Sequence, residues 1–361
     1  MKRILIIGPF PDPISGVSLA NKVVKNVLDT SNEYKTTIVN TSYPYFDEHV
    51  GKFSIKKLLF FLKTNSSFFK IFNADIVYIT PGQTFFGIVK YSVFILLSKL
   101  LRKELIIHVH GNYLGYCYSQ LKGIKRKMFY ALVSQFSKGI VLSKLLRNNL
   151  TPFLDEDKIY ELPNFAEDYL LKDENNKLLT NNDKLQIVFL SNLMLEKGIL
   201  VLLDALKYLE DQNIRYEARI AGNIDTTIEK EILDNIKNLK NTSYIGVVKG
   251  NEKKDLLSWS NTFILPTYYK MEGQPISILE ALATENLIIT TAHAGILDII
   301  TNKEHGFLVE KRNVESLQVV LTELSNNLTL VHSIRRKNKE YFKNNFTINQ
   351  FKSRIIKILN A

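Results

Sequence analysis

Residues 272–309 read EGQPISILEALATENLIITTAHAGILDIITNKEHGFLV. Pro275 suits the first turn of a helix, and Ile276, Leu279 and Leu282 then recur at the spacing that docks one helical face on a sheet. Two short apolar runs follow, Leu287 to Ile289 and Phe307 to Val309, so helix gives way to strand as in a helix-covered parallel sheet. Glu272 and Glu280 stand eight residues apart around the Gly-Gln-Pro turn. Glu272 falls in the loop before the helix. Glu280 falls about one and a half turns inside, roughly 7 to 8 Å further along the axis. Backbone N–H groups around Gly273, Gln274, Ile276 and Ser277 lack partners at such a helix start and form a site for phosphate or for charge developing on oxygen. On spacing alone, a solvated loop acid and a surface helix residue are the ordinary reading of the two glutamates.

The same alternation extends in both directions. Upstream, Ile4 to Ile7, Thr37 to Val39, Ile76 to Ile79, Leu105 to Val109 and Gly139 to Leu142 read as strands. Helical patterns lie between them at Ser18 to Leu28, Gly87 to Leu101 and Ile124 to Phe136. Residues 160–184 are polar and rich in Asn and Asp, which marks a linker. A second series begins at Ile187 to Leu190 and continues through Tyr216 to Ala221, Tyr244 to Val247, Phe263 to Leu265 and the two strands above. The expected fold is α/β, two Rossmann-like doubly wound domains facing across a cleft, with ligands outside the carboxyl ends of the strands. Residues 1–165 form the first domain and 166–342 the second, with a helical stretch over 343–361 packing back on the first. No fixed short period points to a solenoid.

Composition narrows the partners. A chain of 361 residues with formal charge +11 and pI near 9.3 favours anions such as nucleotides, nucleic acid or acidic lipid. Cys117 is the sole cysteine, which excludes an internal disulfide or thiolate metal cluster and suits a reducing, cytoplasmic setting. The opening MKRILIIGPFPDP has too short an apolar run for a signal-peptide core and reads as a first buried strand. The apolar stretch Phe85 to Leu101 is interrupted by Lys90, Ser98 and Lys99, so a packed helix is expected rather than a spanning one.

The stretch over 272–309 closely resembles the retaining glycosyltransferases of family four, which have the GT-B fold and a signature of Glu, seven residues, Glu. That signature falls on Glu272 and Glu280. The resemblance includes Pro266, Ala292-His293-Ala294-Gly295, Asp298 and Gly306-Phe-Leu-Val309, and reaches upstream to SNLMLEKG at 191–198 and IHVHG at 107–111. It implies a nucleotide-sugar donor held mainly by the second domain. Glu280 accepts hydrogen bonds from the ribose, a role suited to a group that only accepts. Glu272 stands near the transferred sugar, the Gly273-Gln274 amides contact its hydroxyls, and Lys197 neutralises the leaving diphosphate. Where the family commonly has Arg, this chain has Asn192, which supplies an amide but no charge; Lys249 in GVVKG is a candidate replacement. The resemblance also puts His110 beside the donor sugar, while His108, on the same strand face, reads as structural. Gly16, in Ser15-Gly16, is placed for close backbone approach, although Gly8 and Gly16 form no GxGxxG fingerprint. Asp155-Glu156-Asp157 reads as a solvated turn, and no metal or other cofactor is expected.

The implied activity is transfer of a hexose or N-acetylhexosamine, from a UDP-sugar ahead of GDP-mannose, to a lipid-linked saccharide in bacterial capsule, O-antigen or related polysaccharide synthesis. The stretch over 52–72 sets Lys52, Lys56, Lys63 and Lys70 on one helical stripe among aromatic and aliphatic residues. Both a deeply packed helix and one lying on an anionic membrane fit that pattern. A second basic cluster at Lys122, Lys125, Arg126 and Lys127 favours the membrane, on the inner face of the plasma membrane. A nucleotide-dependent oxidoreductase of Rossmann type would share the folds, and a basic nucleic-acid-binding protein the charge. Neither explains the paired glutamates.

Overall fold

The computed structural model describes residues 1–12, 15–43, 60, 64–171 and 183–361. The chain divides into two compact units, Met1–Pro163 with Phe351–Ala361, and Asn164–Gln350.

The first unit opens with β1 (Lys2–Gly8), α1 (Gly16–Asp29) and β2 (Tyr34–Asn40). Ile4, Leu5, Ile6 and Ile7 are all fully buried, as expected of a parallel strand covered on both faces. A 3-10 helix (Ser66–Asn73) leads to β3 (Ile76–Ile79), followed by α2 (Phe85–Val89), α3 (Ser92–Leu100), β4 (Glu104–Val109), α4 (Leu114–Gln120) and α5 (Gly123–Val133). β5 (Lys138–Val141) and β6 (Ile159–Glu161) complete a parallel sheet of order β2-β1-β3-β4-β5-β6. The order reverses between β1 and β3, so a crevice is expected at their carboxyl ends. Gly8 ends β1 there because a Cβ would stand 1.9 Å from Thr80 Oγ1. Asn21 of α1 donates to that hydroxyl at 2.7 Å and to the Pro9 carbonyl at 2.8 Å.

Two expectations change in this unit. The helical pattern Gly87 to Leu101 is two helices, because Tyr91 turns inward at the break, 1% exposed, with its hydroxyl 3.0 Å from Thr41 Oγ1. The strand β6 lies at the start of the segment expected to be linker. Its three residues carry too little pattern to be read, but Ile159 is buried and pairs with Gly139.

The second unit runs β7 (Leu185–Leu190), α6 (Ile199–Asp211), β8 (Tyr216–Ala221), α7 (Glu229–Lys237), β9 (Thr242–Tyr244) and α8 (Gly250–Trp259). It continues with β10 (Thr262–Leu265), α9 (Ile276–Ala283), β11 (Leu287–Thr291), β12 (Gly306–Val309), α10 (Val314–Asn326) and α11 (Leu328–Asn345). Its parallel sheet has the order β12-β11-β10-β7-β8-β9, reversing between β7 and β10. One apolar core takes in the sheet together with α6, α9 and α10. α12 (Ile348–Asn360) closes the chain, and within the first unit Asn360 accepts from the Tyr34 hydroxyl at 2.8 Å. Among the described residues no helix is long and apolar enough to cross a membrane.

Candidate active site

In the second unit the loops after β7 and β10 flank the point where strand order reverses, and they are stitched together by the backbone. The Tyr268 N–H donates to the Glu196 carbonyl at 2.8 Å. Gly198 follows with φ +80°, and a Cβ there would stand 2.5 Å from the Pro266 carbonyl oxygen. Only glycine lets the chain pass that close to β10 and enter α6. The 3-10 turn Leu195–Lys197 therefore aims Lys197 across the end of β10.

Lys197 and Glu272 meet there: Nζ lies 2.5 Å from Oε2, with the side chains 13% and 10% exposed. The Thr267 hydroxyl lies 3.2 Å from the same carboxylate oxygen. Lys197 also sits over the Tyr269 ring, 5.3 Å from its centroid. An ammonium has three donors, so a partner in Glu272 leaves capacity for oxygens of a ligand. The loop after β11 closes on the same place. Gly295 donates to the Gly273 carbonyl at 3.0 Å, Thr291 bonds to the Thr267 carbonyl, and His293 Nε2 lies 2.8 Å from the Tyr269 carbonyl. Burial pushes the His293 imidazole below its ordinary range, and Lys311, after β12, acts in the same direction.

Pro275 caps α9 from outside the helix, so the helix itself begins at Ile276. The N–H groups of Gly273 and Gln274 donate to no described residue. The Gln274 side chain, in contrast, is committed to its own unit. Its Oε1 accepts from the Asn164 N–H at 3.0 Å, and its backbone carbonyl accepts from Asn164 Nδ2 at 2.8 Å.

Glu280 is not the surface helix residue that spacing favours. It is 5% exposed and ion-paired with Lys253 of α8. Burial raises the Glu280 carboxyl and the attraction of Lys253 opposes that rise. Burial also works against charging Lys253, but the attraction and hydrogen bond of Glu280 outweigh it and hold the ammonium above its ordinary range. Tyr169, from the turn Asp168–Leu170, is hydrogen-bonded with Lys253. The structure thus brings Lys197 to Glu272, gives Glu280 a separate cation, and leaves Asn192 exposed at the end of β7. Lys249 is exposed at the N-cap of α8. Lys253, one turn further on, was missed, because its partner Glu280 lies on a different helix and no spacing in the sequence links the two.

In the first unit, Ser15 caps α1 through a capping box with Ser18, which places Gly16 as an exposed first residue of that helix after β1. His108 and His110 share one face of the strand end, their ring centroids 3.9 Å apart. The Tyr78 hydroxyl lies 2.5 Å from His108 Nδ1, while Nε2 of each histidine has no hydrogen-bond partner among the described residues. Burial pushes the His110 imidazole down to about 3, so it is neutral near pH 7. Asp155 pairs with Lys158 at 2.6 Å in an exposed turn, as a solvated reading of that acidic run requires. Among the described residues no three His, Cys, Asp or Glu side chains converge as metal ligands.

Two six-stranded parallel α/β units of this kind define the GT-B class of fold. The structure of Anabaena Alr3699/HepE in complex with UDP and glucose superposes with a TM-score of 0.74 over all of both chains at 14% identity. Residues 172–344 match the family described as Glycosyl transferases group 1. WcaL of Salmonella typhimurium, a glycosyltransferase assigned to colanic acid biosynthesis, is 27% identical over 151 residues, 39% of this chain. CapM of Staphylococcus aureus, a capsular polysaccharide biosynthesis glycosyltransferase, is 25% identical over 177 residues, 49% of this chain. The chain spans only 36% of the length of WcaL and 46% of CapM. Over residues 172–344, a little under half of its length, the chain is thus similar to group 1 glycosyltransferases.

Proposed function

We propose that this chain is a retaining, metal-independent glycosyltransferase that moves a hexose or N-acetylhexosamine from a nucleotide sugar to a lipid-linked saccharide. Its setting is bacterial capsule, O-antigen or related polysaccharide synthesis at the inner face of the plasma membrane. One observation carries the reading: Lys197 and Glu272 meet at the carboxyl ends of β7 and β10, within the residues that match the glycosyltransferase family. UDP in the HepE complex supports a UDP-sugar ahead of GDP-mannose, and the names of WcaL and CapM support the polysaccharide setting.

The diphosphate leaves as its bond to the anomeric carbon breaks. Lys197 balances the charge that develops on it, and the Gly273 and Gln274 N–H groups offer further donors. The acceptor hydroxyl attacks from the same face, and the departing phosphate oxygen takes its proton. Glu280 holds the ribose, Glu272 stands by the transferred sugar, and His110 meets that sugar as a neutral donor or acceptor. Asn192 contributes an amide to the diphosphate, and Gly16 admits the donor close to the backbone. The test is release of UDP or GDP from a panel of nucleotide sugars, with and without EDTA. Release that stops on chelation and returns with manganese contradicts the metal-independent part.

A further inference from the structure

The first unit carries an apolar surface that its own packing does not explain. α3 is apolar on both sides. Phe94, Ile95 and Ser98 face inward and are buried, whereas Val93, Leu96 and Leu100, at i, i+3 and i+7, face outward, with Leu100 78% exposed. With one face of the helix already buried, a second apolar stripe turned outward beside the exposed Lys99 is surface that the fold itself does not use. The neighbouring elements extend the face. The 3-10 helix Ser66–Asn73 packs against α3 and exposes Phe69 and Phe72; α5 packs against both α2 and α3. Phe86 of α2 is 73% exposed and Ile124 of α5 71%. Single exposed apolar side chains are ordinary, but a run of them over four contacting elements marks an interaction surface.

Charge selects the occupant. Residues 66–133 contain nine Lys or Arg side chains and two acids, Asp75 and Glu104, each already ion-paired, with Arg3 and Lys138. A second copy of the chain meeting this face across a two-fold axis would set cations against cations. An anionic bilayer satisfies both halves of the surface: aromatic and aliphatic side chains enter the headgroup boundary while flanking Lys and Arg meet lipid phosphates. We infer that the face formed by the 3-10 helix Ser66–Asn73, α2, α3 and α5 docks the protein on an anionic lipid bilayer. It rests on the reading of a lipid-linked acceptor at a membrane, and it relocates the contact. Lys52, Lys56 and Lys63 of the expected stripe lie outside the described residues, and the face is built mainly from helices that connect β3 to β5.

The test is co-sedimentation of the full chain with phosphatidylglycerol-rich vesicles and with phosphatidylcholine vesicles, at low and high salt. Binding at least about tenfold tighter to the anionic vesicles, and lost at high salt, is expected, because surface charge is screened. Phe86→Ser with Leu100→Ser, and separately Lys125→Glu with Lys127→Glu, each weaken binding about tenfold or more and leave nucleotide release from a soluble donor unchanged. Hydrogen exchange of the unaltered protein with vesicles adds a reading independent of variant folding, with new protection at 66–73, 85–100 and 123–133. Equal binding to neutral vesicles, no binding, protection elsewhere, or concentration-dependent dimers broken by the same substitutions would overturn the proposal. Because vesicle binding and nucleotide release are read separately, loss of one leaves the other standing.

Discussion

Glu272 and Glu280 are one motif in the sequence but two environments in the protein, each with its own lysine. Lys197 holds Glu272 at the strand ends, and Lys253 of α8 holds the buried Glu280 of α9. The account therefore predicts unequal losses. Glu280→Ala and Lys253→Met raise the donor KM about tenfold or more, roughly 1.4 kcal/mol of binding, with a smaller change in kcat. Glu272→Ala lowers kcat instead; steady-state kinetics with the donor varied separates the two, and matching KM effects in all three variants would contradict the division. The buried imidazoles set a pH dependence of stability. Burial holds His108 and His110 below the ordinary 6.5, His110 at about 3, so between those values the unfolded chain binds more protons than the folded one. Stability then falls as pH drops through that window, by about 2 kcal/mol for His110 between pH 7 and pH 5, with His108 acting in the same direction. Urea unfolding at the two pH values checks this, with His110→Gln showing the smaller fall.

At the scale of elements, the loops after β7, β10 and β11 hold the candidate site by backbone stitching rather than by side-chain bulk. Gly198→Ala forces a Cβ into φ +80° and toward the Pro266 carbonyl, a strain of about 1 to 3 kcal/mol that lowers the melting temperature. Asn164→Ala keeps the backbone N–H bond to Gln274 Oε1 but removes the Nδ2 donor from the buried Gln274 carbonyl, and costs about 1 to 3 kcal/mol, read in the same melt. The parallel strands and some of their helices were legible because buried strands are continuous apolar runs and α1 and α9 repeat at helical spacing. β6 was not, since three residues carry no period, and the break at Tyr91 depends on Thr41, fifty residues away. The Lys253 partnership was hidden for the same reason: a helix face can be read from spacing, but what it packs on cannot.

For the whole molecule, donor binding is proposed chiefly for the second unit, where the family match over residues 172–344 lies, and lipid contact for the first. Of the +11 charge, which in the sequence admits nucleotides, nucleic acid and lipid alike, Lys197 and Lys253 contribute nothing net because the two glutamates balance them, whereas residues 66–133, with exposed Phe86, Leu100 and Ile124, hold nine Lys or Arg against two acids. The most direct test of the enzyme is nucleotide release from UDP- and GDP-sugars in the presence of EDTA, comparing the unaltered protein with Lys197→Ala. The account predicts UDP release that persists with chelator and falls roughly 100-fold in the variant. No release from any nucleotide sugar, or release that Lys197→Ala leaves unchanged, would contradict it.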